Sequence, residues 1–190
     1  MEQLKGKSSA LMVVVVLVAG GIFYLIGGGS DTVEVSSSVK KPYDAVEMTV
    51  SSVRSDGRFR GMIERSGRYA DKGLRTIGTY DRVYLRLADV EPPQPARDPC
   101  WIDEGQNALD DLIGARIWVD PKDVQEQGSG TFTVYAWNRS GTFVQEQLIR
   151  DGDAKVFAGR LSSTYRDALT AAEDEASAAE RGLLGACAGQ

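Results

Sequence analysis

The chain has no histidine and only two cysteines, Cys100 and Cys187, among 190 residues. Without histidine, a Ser-His-Asp or Cys-His catalytic arrangement is excluded. So is a zinc site of the usual Cys/His kind. Positive charge is also scarce: 22 Lys and Arg stand against 27 Asp and Glu, a net of −5. That balance repels phosphate backbones on average, because nucleic-acid affinity comes largely from neutralised phosphates. Nucleic acid is therefore a disfavoured partner. Charge of either sign is absent from residues 8–30, between Lys7 and Asp31.

That uncharged stretch is where the apolar residues collect. Residues 10–26 read ALMVVVVLVAGGIFYLI. As a helix, residues 8–30 would reach roughly 34 Å, enough for a bilayer core of about 30 Å. A lone span in lipid must pair its own backbone groups, so the expectation is one transmembrane helix over residues 10–29. Lys5 and Lys7 precede it; Asp31 and Glu34 follow it. The positive-inside rule then puts residues 1–9 in the cytoplasm and the rest of the chain outside it. A cleaved signal peptide is the alternative, with Gly27 and Gly29 before Ser30 as small residues for the cut. The apolar run exceeds the usual signal core of about 7–15 residues, which favours a retained, single-pass anchor in contact with membrane lipid. Both readings export the domain, and an even cysteine count in an exported domain suggests a disulfide. Two buried free thiols are the other possibility.

Residues 27–41 (GGGSDTVEVSSSVKK) read as a Gly/Ser-rich tether, with residues 30–42 as the linker and 43–190 as one domain. Apolar alternation over residues 46–50 and 83–90 predicts strands. Residues 59–63, 116–119, 131–137, 141–144 and 154–157 give shorter ones. Residues 64–78 are polar and glycine-bearing and read as a loop. Prolines 92, 93 and 95 stop the strand at 83–90. Helical spacing marks residues 103–113 and 145–150. It also marks residues 163–181, with Ser163 as N-cap, Gly182 as the stop and a buried stripe of Tyr165, Leu169, Ala172, Ala176 and Ala179. The expected architecture is an α+β domain: a five-stranded OB-type barrel with about three helices.

Four segments resemble the thermonuclease family, the staphylococcal-nuclease-like OB-folds. They are Leu85-Arg86-Leu87-Ala88-Asp89-Val90-Glu91-Pro92, Thr133-Val134-Tyr135-Ala136-Trp137, the run VQEQLIRDGDAKV over residues 144–156, and the ending that carries Ala171-Ala172-Glu173 and Arg181-Gly182-Leu183-Leu184-Gly185-Ala186-Cys187. The resemblance covers about residues 45–188. It implies a disulfide between Cys100 and Cys187. It also implies calcium-assisted phosphodiester hydrolysis, which needs carboxylates for a hard cation, a Glu to activate water and two arginines on the phosphate.

Carried over position by position, that machinery is mostly missing. Asp56-Gly57 is followed by Arg58 where a calcium carboxylate is expected. Tyr84 stands at the first arginine and Pro92 at the catalytic Glu, with Glu91 one place early. Gly128-Ser129-Gly130-Thr131 lacks the second arginine. Asp89 alone matches its role. Asp89, Glu91 and Arg86 are thus relic candidates, with Arg60 or Arg86 as replacement clamps, since Arg86 shares strand parity with Tyr84. Lys122, Arg139 and Arg150 have acidic neighbours and read as mixed surface. Trp118 and Trp137 read as core, and Trp101 as the exposed contact. The sequence therefore points to a membrane-anchored, catalytically inactive domain with no cofactor. It would act as an accessory subunit that binds a protein partner in a membrane complex. A calcium-dependent endonuclease, with Asp89 as a ligand, is the alternative.

Overall fold

The computed structural model describes residues 37–54, 57–63, 82–157, 159 and 164–187, and the backbone of residues 13–18 and 21–26. The chain divides into two compact units, Met1–Val35 and Ser36–Gln190.

In the first unit β1 (Val13–Val18) pairs antiparallel with β2 (Gly21–Ile26), Val13 opposite Ile26 and Val18 opposite Gly21. This corrects the helix expected over residues 10–29. Among the described residues no helix is long and apolar enough to cross a membrane. The composition explains the strands. Four successive valines, 13–16, are stiff at χ1 and favour a pleated backbone, and each glycine of the pair 20–21 costs a helix about 1 kcal/mol. Hydropathy alone does not separate the two forms. The expected tail, residues 1–9, and the linker through residue 36 lie outside the described residues.

The second unit is an α+β domain. Its elements run β3 (Val46–Val53), β4 (Arg58–Met62), β5 (Arg82–Leu87), β6 (Val90–Glu91), a 3-10 turn at Pro99–Trp101, α1 (Ile102–Ile113), β7 (Arg116–Val119), β8 (Gln125–Glu126), β9 (Thr131–Val134), β10 (Ala136–Trp137), α2 (Val144–Asp151), β11 (Lys155–Val156), α3 (Arg166–Ala178) and α4 (Gly182–Ala186). The main sheet is mixed, in the order β10-β7-β3-β4-β5-β9-β8, and β5 runs parallel to β9. β6 and β11 form a separate ribbon. Tyr135 interrupts what the sequence reads as one strand: Thr131–Val134 pairs with β5, whereas Ala136 and Trp137 pair with β7. One run of chain thus meets both ends of a curled sheet. That break and the two-residue β8 raise the strand number above the expected five.

Alternation works as the physics requires. Val83, Leu85 and Leu87 of β5 and Phe59 of β4 point into the core, while the intervening arginines and Tyr84 point out. A second core is aromatic: Trp137 stacks on Phe143 at 4.9 Å, and Tyr135 lies 4.3 Å from Tyr165 between ring centroids. Leu169 and Ala172 of α3 pack into this second core and Ala176 is buried, but Ala179 is exposed. α3 ends at Ala178, and Gly182 opens α4 instead of stopping α3. The reason is a close backbone approach between the end of α2 and the start of α4. A Cβ on Gly182 would meet Gly152 O at 2.3 Å, and one on Gly152 would meet Arg181 O at 2.3 Å. Leu183 N–H donates to Gly152 O at 2.9 Å across this contact. Cys100 in the 3-10 turn is bonded to Cys187 beyond α4, with Cα atoms 5.9 Å apart.

The end of the expected tether is not free. Ser37 Oγ–H donates to Glu146 Oε2 at 2.7 Å, and Ser38 N–H reaches both Glu146 oxygens at 3.1 Å. Trp137 Nε1–H donates to Val39 O at 3.2 Å, and the Lys41 ammonium lies 4.3 Å above the Trp118 ring. Glu146 is fully buried and also accepts Arg150 Nη2–H at 2.5 Å. Arg150 continues to Glu175 at 3.1 Å, and Glu175 to Arg181 at 2.9 Å. Burial pushes the Glu146 carboxyl up, but the hydrogen bonds from Ser37, Ser38 and Arg150 outweigh it and hold the pKa below the ordinary 4.5.

A depressed carboxyl stabilises the fold above its unfolded pKa, and that contribution is lost as pH falls through the lower folded value. Acid unfolding followed by Trp fluorescence should therefore show stability falling below about pH 4.5. Glu146→Gln should flatten that part of the profile and cost about 3–5 kcal/mol at neutral pH, since Arg150 loses its buried partner. An unchanged profile would contradict the assignment.

Candidate functional site

β5 delivers its last residues into a tight left-handed turn. Asp89 has φ 56°, which aspartate tolerates better than most side chains. Two contacts pin it there: Tyr135 O–H donates to Asp89 Oδ2, and Phe157 N–H donates to Asp89 O at 3.0 Å. Beside this turn lies an open cleft of about 770 Å³. Arg58, Arg86, Asp89, Asp123, Thr133 and Tyr135 are among its walls. Arg86 is exposed, and it sits opposite Arg58 on one side and Thr133 on the other.

Two of the three relic candidates, Asp89 and Arg86, thus share a cleft. The third does not join them. Glu91 lies in the β6–β11 ribbon opposite Lys155, and its carboxylate is ion-paired with Arg97. No glutamate is among the described residues lining the cleft. Pro92, where the resemblance puts the catalytic Glu, packs over Gly57: a Cβ there would come 3.0 Å from Pro92 Cγ. It shares the lining of a small cavity of about 40 Å³ with Gly57 and Arg86. A proline ring there is neither a base nor a ligand.

Tyr84, where the resemblance puts the first arginine, is itself held by arginines. Arg60 Nη2–H donates to its oxygen at 2.7 Å, and the Arg58 and Arg60 guanidinium carbons lie 5.4 and 5.1 Å from its ring centroid. The Arg60 hydrogen bond, then its charge, with Arg54 and Arg58 behind, hold the phenol below its ordinary pKa. Arg60 is therefore committed to Tyr84.

The fold family implies calcium, but the residues in place do not fit that ion. Arg58 stands beside the turn where a carboxylate is needed, and Arg58 and Arg86 line the cleft that would hold it. The Asp89 carboxylate already accepts Tyr135. Among the described residues no three carboxylates gather closely enough for a cation. Asp56 lies outside the described residues.

The other sequence candidates disperse. Arg150 is buried, Lys122 pairs with Asp44 at 3.3 Å, and Arg139 is exposed at a hairpin turn. Asp120 is buried as the acceptor of Tyr165 O–H at 2.5 Å. Trp137 is core, Trp118 is half-buried, and Trp101 donates to Asp153 at 2.9 Å beside the disulfide instead of facing solvent freely. What the sequence reading missed is the row of outward arginines on β4 and β5. The alternation in RFRGM and RVYLRL carries that signal.

A mixed sheet with helices packed on it and a cleft at the end of β5 make up an α+β domain. The family described as staphylococcal nuclease homologue matches residues 84–184, just over half of the chain, and the chain belongs to that family. No curated protein matches the chain.

Replacing Arg60 by alanine removes the largest cause of the Tyr84 shift. A phenol titration followed by ultraviolet difference absorbance should move up towards 10.0 at Tyr84 in Arg60→Ala. No movement would mean that Arg60 does not hold this phenol.

Proposed function

We propose that this protein is a catalytically inactive nuclease homologue held at a membrane. Its domain acts as an accessory or scaffold subunit for a protein partner outside the cytoplasm. The observation that carries this reading is the fate of the expected catalytic glutamate and of Glu91 beside it. Pro92 stands at that position on the resemblance, and Glu91, one place early, is tied to Arg97 outside the cleft. Tyr84 in place of an arginine removes a donor to the transition state as well, a loss that typically lowers rate by about 10²–10³. The sheet is read as a five-stranded OB-type barrel, with the broken run of residues 131–137 as its closing strand. Membrane attachment is supported by the uncharged residues 8–30 and by Lys5 and Lys7 before them.

A calcium-dependent endonuclease with relocated residues is the second reading. It is favoured by the shared cleft of Asp89 and Arg86.

The intact protein in mild detergent, incubated with DNA and RNA across a range of calcium concentrations, separates the two. Inactivity at every concentration is the expected outcome. Calcium-dependent cleavage that Asp89→Ala abolishes would establish the second reading instead.

A further inference from the structure

The turn between β10 and α2 carries a motif that the cleft does not use. Residues 138–140 read Asn-Arg-Ser, and of the two asparagines in the chain only Asn138 stands two places before a serine or threonine. Asn-x-Ser, with x other than proline, is the acceptor sequence for N-linked glycans. The fold presents it at the surface. Trp137 and Phe143 bridge across the base of the turn, Asn138 is half-buried, and Arg139 and Ser140 are exposed at its tip.

The partners of the Asn138 carboxamide fix its orientation. Ser140 N–H and Thr142 N–H donate to Asn138 Oδ1 at 3.1 and 3.0 Å, and Ser140 Oγ–H donates to it at 2.7 Å. A backbone N–H only donates, so the atom it meets is the oxygen, and Nδ2 faces away from the turn. Among the described residues no group accepts from Nδ2. There is room on that side of the domain. An open hollow of about 450 Å³ lies between the turn and the end of α1, with Leu112 and Arg139 among its walls. A Cβ added at Gly114 or Gly141 would meet nothing within 4 Å.

We infer that Asn138 is an N-glycosylation site. The inference rests on the extracytoplasmic placement proposed above, where a transferase meets the chain with its donor, a polyprenyl-diphosphate-linked oligosaccharide. Nδ2 bonds to C1 of the first sugar. The bond from that carbon to the diphosphate oxygen breaks, its electron pair leaves with the diphosphate, and one Nδ2 proton passes to the transferase. Oδ1 keeps its three donors in the product, so the turn carries the glycan without rearrangement. The hollow offers Leu112 to the apolar face of a sugar ring and Arg139 to its hydroxyls. No residue of the turn lines the cleft beside Asp89, so a glycan here leaves that cleft open.

The test has two arms. In the full chain isolated from the cells that make it, a glutamyl endopeptidase releases residues 127–146 as one peptide. Mass spectrometry should show a glycan on Asn138 of that peptide, and a bare Asn138 overturns the inference. In the second arm the full chain is synthesised with sealed microsomes, which hold donor and transferase. It should gain a gel shift that N-glycosidase removes, keep it in Ser140→Thr and lose it in Ser140→Ala. Ser129→Asn is the control: it puts a second acceptor before Gly130 and Thr131 at another exposed turn, where φ of 53° suits asparagine. A domain protected from added protease that takes the shift only in Ser129→Asn overturns the inference and leaves the placement standing. A domain that the protease digests sinks the placement, and the inference with it.

Discussion

A carboxylate buried at the start of α2 ties together parts of the chain that are far apart in sequence. Glu146 takes hydrogen bonds from Ser37 and Ser38 and an ion pair from Arg150. Arg150 in turn reaches Glu175 on α3, and Glu175 reaches Arg181 before α4. A buried charge with its partner removed costs several kcal/mol, so Glu146 and Arg150 depend on each other, whereas the exposed Glu175–Arg181 pair adds little. The network's consequence is positional. The polypeptide enters the domain against α2, over Trp137 and Phe143, and α4 is drawn to within backbone contact of Gly152. The disulfide closes the same region from the far side of α4.

The cleft at the end of β5 is lined by none of the residues of this network. The cleft at the end of β5 still holds Asp89 in a left-handed turn braced by Tyr135. Around it stand Arg58 and Arg86, Tyr84 is held by Arg60, and Pro92 packs over Gly57. What is left on that side of the sheet is strongly cationic.

The legible parts of the fold were those set by local periodicity. Alternation located β3 and β5, and helical spacing located α1 and the buried stripe of α3 through Ala176, because burial on one face leaves a direct mark on sequence. The illegible parts depended on partners distant in the chain. Nothing near Ser37 announces a carboxylate more than a hundred residues away, so residues 37–41 read as tether. Glu91 looks available for chemistry until Arg97 is seen to take it. Residues 10–29 have one apolar composition compatible with a helix in lipid or a strand pair, and β-branching decided for strands in the structure. At the site, the positions of Asp89, Tyr84 and Pro92 could be assigned through family resemblance. The arginine face could have been read from every second residue of two adjacent strands, but only their pairing register shows that the charges stand opposite one another.

The proposed inactivity rests most directly on the cleft beside Asp89 holding no calcium. Calorimetric titration of calcium into the intact protein in detergent addresses it directly. The structure predicts no saturable binding heat, with wild type and Asp89→Ala indistinguishable. A saturable calcium site in the wild-type protein that Asp89→Ala abolishes would contradict it.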